Sequence, residues 1–90
     1  MPPDDAPSAR FTALVVETVA QLLDLDETEL SADTPLSGIE GWDSVNALRV
    51  LVFLERELGV PVDYERFAAV TDLAGLAELA AASAGAAAAP

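Results

Sequence analysis

Phe11, Val15, Val19 and Leu22 follow one another at intervals of four, four and three residues. That is the period of one face of a helix, and it is flanked by Leu14, Val16 and Leu23. No stretch of the chain alternates apolar and polar residues as a half-buried strand does. The spacing predicts a first helix from about Ala9 to Leu25, with Ser8 as a candidate N-cap. "MPPDDAPS" before it holds three prolines and two aspartates, so residues 1–8 are expected to form a flexible arm.

Residues 24–43, "DLDETELSADTPLSGIEGWD", are acidic, carry a proline and two glycines, and show no period. They read as a long loop anchored to the core by Leu30, Leu36 and Ile39. Loops of this length in small domains are often functional. A second helix is expected from Ser44 to Leu58, ended by Gly59. A short helical segment should cover Tyr64 to Ala69. Thr71 is a candidate cap for a last helix through about Ala82, with Leu73, Leu76, Ala77 and Ala80 facing inward. "SAGAAAAP", residues 83–90, is expected to be a flexible alanine-rich tail. The fold class is therefore all-α: a small bundle of three longer helices plus one short helix, with residues 9–82 as the domain.

"GIEGWDSVNALRVL" sets a serine at the mouth of the second helix, in a chain without histidine, cysteine or lysine. A serine nucleophile needs a base beside it, and no imidazole is present. Ser44 either caps the helix or is acted on by something outside the chain. Placed about 100° apart around the second helix, Ala47, Val50, Leu51, Leu54 and Leu58 share one side, the expected core side. Arg49, Glu55 and Arg56 lie on the wet side, and Val45, Leu48 and Val52 fall among them. Two readings fit these apolar residues: the long loop covers them, or they form a docking patch beside Ser44.

Charge narrows the functional classes. Sixteen acidic residues against four arginines give −12, which opposes binding to nucleic acid and to anionic membrane. The absence of cysteine excludes disulfides and thiol chemistry from the chain itself. No apolar run approaches membrane-spanning length, and the start lacks a basic-then-apolar signal pattern. A cytoplasmic protein is expected. An enzyme would have to work with carboxylates alone, and spacing places no pair of them in an evident pocket.

"GWDSVNALRVLVFLERELGVPVD" resembles the attachment region of acyl carrier and peptidyl carrier proteins. The order of elements agrees, from the first helix and acidic loop to "LERELGVPV" and "VTDLAGLAELA", over roughly residues 9–82. The resemblance implies that Ser44 receives a 4′-phosphopantetheine arm from a separate phosphopantetheinyl transferase. It implies that Asp43 is the acidic residue before that serine and Gly41 the turn glycine. Val45 stands where those families usually have leucine, and Trp42 occurs at this place in some stand-alone carriers. Ala47 and Arg49 resemble a pattern common in peptidyl carriers, whereas fatty-acid carriers show several acids on this helix.

The resemblance thus implies a discrete carrier without catalytic activity, needing no metal site of its own and acting in trans as a monomer. It would hold an acyl or aminoacyl thioester in polyketide or nonribosomal peptide biosynthesis, an antibiotic pathway for example, with aminoacyl favoured. Its partners would be the transferase, a loading ligase, and acyltransferase or synthase enzymes, docking on Val45, Leu48, Arg49 and Val52. A different class also fits the charge and the patch: a small acidic helical adaptor that binds a basic protein and is never modified.

Overall fold

The computed structural model of the protein describes residues 7–88. Four α-helices follow in order: α1, Pro7–Leu23; α2, Ser44–Leu58; α3, Tyr64–Ala69; and α4, Leu73–Ala88. This is the expected arrangement of three longer helices and one short one. Among the described residues the nearest approach to a sheet is an isolated antiparallel bridge between Pro35 and Asp72. No helix of the described residues is long and apolar enough to cross a membrane.

α1 starts at Pro7, two residues earlier than expected. Ser8 therefore lies within the first turn and is not the cap. Residues 1–6 of the expected arm lie outside the described residues. The helix ends at Leu23, two residues short of expectation, because Asp24 turns left-handed at φ 58°. Leu25 N–H then donates back to Ala20 O at 2.8 Å.

The loop of residues 24–43 contains two short 3-10 turns, Glu27–Glu29 and Leu36–Gly38. Asp26 opens the first turn, accepting from Thr28 N–H at 2.9 Å and from the Thr28 hydroxyl at 2.8 Å. These bonds favour the ionised carboxyl and hold Asp26 below the usual carboxylate range. Leu36 and Ile39 are buried as expected, and Leu30 packs against the core from its edge. The loop's backbone is satisfied by the residues leading into α4. Leu36 N–H donates to Thr71 O at 2.9 Å, Leu73 N–H to Thr34 O at 3.1 Å, and Ala74 N–H to Ala32 O at 2.9 Å.

The cap of α4 is Asp72, not Thr71: its Oδ1 accepts from Gly75 N–H at 2.7 Å. α4 also continues to Ala88, beyond the expected end at Ala82. Alanine has the highest helix propensity, and the alanine-rich sequence favours continuation of the helix. Residues 83–88 of the expected tail are thus helical, and residues 89–90 lie outside the described residues.

The core sits where α1, α2 and α4 meet, with α1 packed most extensively on α4. Val15, Val19, Val50, Leu54, Leu73 and Leu76 are its most buried members. Thr18 is buried among them without penalty, since its hydroxyl donates to Leu14 O at 2.7 Å. α2 ends as expected at Gly59, whose φ of 72° suits glycine. The carboxylate of Glu55 accepts from Val62 N–H at 2.8 Å and ties the following turn to α2. Asp63 caps α3 through Glu65 N–H at 2.9 Å.

Candidate functional site

The start of α2 is built from a turn, a cap and a brace. Gly41 takes φ 86°, a conformation that side chains resist, and reverses the chain out of the loop. Trp42 N–H donates to Ile39 O at 3.1 Å, and the indole is half-buried against the core. Asp43 is extended, at φ −138° and ψ 180°, and its Oδ1 accepts from Asn46 N–H at 2.7 Å. Its carbonyl accepts from Ala47 N–H at 2.8 Å. Asp43 is therefore the N-cap, and the capping reading of Ser44 is corrected.

Ser44 is the first residue of α2 and is exposed. Its own amide and that of Val45 belong to the four that a helix start leaves without intrahelical partners, and the Asp43 carboxylate takes up that of Asn46. The hydroxyl is left with no structural task. The chain has no histidine or cysteine, so neither an imidazole nor a thiol of its own stands beside this hydroxyl.

Asn46 was not among the residues singled out from sequence. Its Nδ2 donates to Gly41 O at 2.8 Å, and its Oδ1 accepts from Arg49 Nη1 at 3.0 Å. One side chain thus braces the glycine turn against the first two turns of α2. A sequence signal exists: Asn46 stands three residues after the cap, where a polar side chain commonly reaches back.

Two depressions flank the serine. One contains Ser44 itself and is lined mainly by Leu36, Trp42, Leu48, Tyr64 and Phe67. The other is an apolar groove between Leu22 of α1 and the outer side of α2, where Val45, Leu48, Val52 and Phe53 line it with Arg49 and Arg56. Leu48 borders both. Val45, Leu48 and Val52 are 67%, 46% and 53% exposed, so the long loop does not cover them. Leu22, Phe53 and Arg56 join the four sequence-derived residues there because the groove depends on how α1 packs beside α2.

The family model for the phosphopantetheine attachment site matches residues 13–80, from α1 through most of α4. The chain belongs to this family. It is a phosphopantetheine-carrying carrier protein, and its domain is a site of covalent 4′-phosphopantetheine attachment. No curated protein matches it. The residues present fit such a group: an exposed hydroxyl at a helix start, two unengaged backbone amides that favour a phosphate, and an apolar cleft alongside.

Proposed function

We propose that Ser44 is the residue that carries the arm, and that the chain presents an acyl or aminoacyl group to partner enzymes of polyketide or nonribosomal peptide biosynthesis. The observation that supports this best is the division of labour at α2: Asp43 caps the helix and leaves the Ser44 hydroxyl exposed. When attached, the arm supplies a terminal thiol to hold cargo as a thioester. The chain's own residues orient and support. Asp43 and Gly41 fix the first turn, Asn46 braces it, and the amides of Ser44 and Val45 would hold the phosphodiester of an attached arm. In the attachment step the Ser44 oxygen forms a bond to phosphorus of coenzyme A and the adenosine bisphosphate leaves. The hydroxyl proton passes to a base of the transferase.

Val45, Leu48, Arg49 and Val52 form the docking surface for the transferase, the loading ligase and the acyltransferase or synthase. Ala47 and Arg49 favour an aminoacyl cargo. The carrier works in the cytoplasm as a monomer, and residues 9–82 are its functional unit. Incubation with coenzyme A and a broad-range phosphopantetheinyl transferase tests the assignment by intact mass. Wild type gains one phosphopantetheine and Ser44→Ala gains none. An unchanged wild-type mass would favour the unmodified acidic adaptor instead.

A further inference from the structure

The outer side of α2 carries a charge pattern opposite to that of the whole molecule. At about 100° per residue, Val45, Leu48, Arg49, Val52 and Arg56 fall within one stripe, opposite the buried Val50, Leu51 and Leu54. The chain has sixteen acidic residues and four arginines. Yet the charged residues lining the groove are Arg49 and Arg56, and no carboxylate lines it. Glu55 lines the adjoining depression with Val52 and Arg56, outside the groove itself. The Glu55 carboxylate binds Val62 N–H, that of Asp43 binds Asn46 N–H, and Glu57 lies about 100° around the helix from Arg56.

Resting on the reading of this face as the docking surface, we propose that its protein partner presents an apolar ridge flanked by carboxylates, one for each arginine. Distance and screening decide between the local and the global charge. The molecule measures 38 × 31 × 19 Å. At physiological salt the screening length is about 8 Å, so acids on remote faces are largely screened from the contact. The two guanidinium groups lie within it, and a basic partner would set cations against them at closest approach. Arg49 is aimed by its bond to Asn46 Oδ1 at 3.0 Å and keeps further N–H donors for a carboxylate. Arg49 and Arg56 are seven residues apart, about 10 Å along the helix, with Val52 between them. The apolar row supplies affinity, and the carboxylates select the partner and its register.

Two synthetic helical peptides test this on the full chain. Both carry the same leucine row; one has glutamates seven residues apart beside it, the other lysines. Each is titrated by NMR at physiological salt. The glutamate peptide should bind about fivefold more tightly, with shifts concentrated on Leu48–Arg56. R49Q/R56Q should abolish the preference, and R49E/R56E should reverse it, with thermal melts run on each variant to establish that it is folded at the temperature of the titration. Equal binding, a lysine preference, or shifts away from α2 would overturn the proposal. Peptide binding needs no arm on Ser44. A normal mass gain with no glutamate preference therefore sinks the partner chemistry alone, whereas a missing mass gain sinks the carrier assignment.

Discussion

Asp43 and Ser44 are adjacent, but one is held by the helix and the other is left to solvent. Replacing Ser44 by alanine removes no cap, so stability should change by no more than about 0.5 kcal/mol, while modification is lost. Asp43→Ala leaves Asn46 N–H without its acceptor and should lower stability by about 0.5–2 kcal/mol. Asp43→Asn should keep most of it, as asparagine caps comparably well. Gly41→Ala is a backbone test: the nearest atom to an added Cβ is Leu23 Cδ2 at 3.9 Å, so space is available. The cost, about 1–2 kcal/mol, comes from forcing an L-residue to φ 86°. Chemical denaturation read by Trp42 fluorescence measures all four. The distinction between cap and free hydroxyl was not legible in sequence, because Asp and Ser are nearly equal as caps and the choice depends on which residue becomes extended.

α2 has one buried side and one exposed apolar side, and the two should respond differently to truncation. Leu54 is 1% exposed, and Leu54→Ala should cost about 2–5 kcal/mol. Leu48→Ala and Val52→Ala should cost far less, since both residues already face solvent. Their loss should instead slow loading by partners, through lost apolar contact worth up to about 1.5–3 kcal/mol per side chain. Thermal melts alongside loading rates separate the two effects. Equal destabilisation at all three positions would place Leu48 and Val52 in the core. The rotation of this helix was legible because Arg49, Glu55 and Arg56 mark the wet side. The role of Arg56 was not, because its place in the groove depends on Leu22, which lies on another helix.

Across the whole molecule the net charge is −12, and all but two of the sixteen acids fall in the described residues, a body with a radius of gyration of 12.5 Å. Like charges at this density repel and weaken the compact state. Raising ionic strength from about 0.01 M to 0.1 M shortens the screening length from about 30 Å to about 10 Å. The melting temperature should therefore rise with sodium chloride over that range, as calorimetry would show. A flat response would mean that the acids are too widely spread to interact. The Asp26 carboxyl makes a separate, local contribution. Its folded-state pKa is depressed, so the stability it adds is present above the ordinary carboxylate range and is lost as pH falls through the lowered value.

Periodicity by itself determined the helices and most of the core, because a 3.6-residue apolar row has one way to be buried along a helix. Val15, Val19, Leu54, Leu73 and Leu76 were readable in this way. The ends of helices were not. Asp24, Asp72 and the reach of α4 to Ala88 reflect competition between caps and propensities that differ by only about 1 kcal/mol. The loop of residues 24–43 has no period, and its course is set by hydrogen bonds to Thr71, Leu73 and Ala74 far along the chain. Only the tertiary structure decided that α1 and α2 together make a groove lined by arginines in an acidic protein. That depends on where separate segments come to lie, and no spacing within a single helix encodes it.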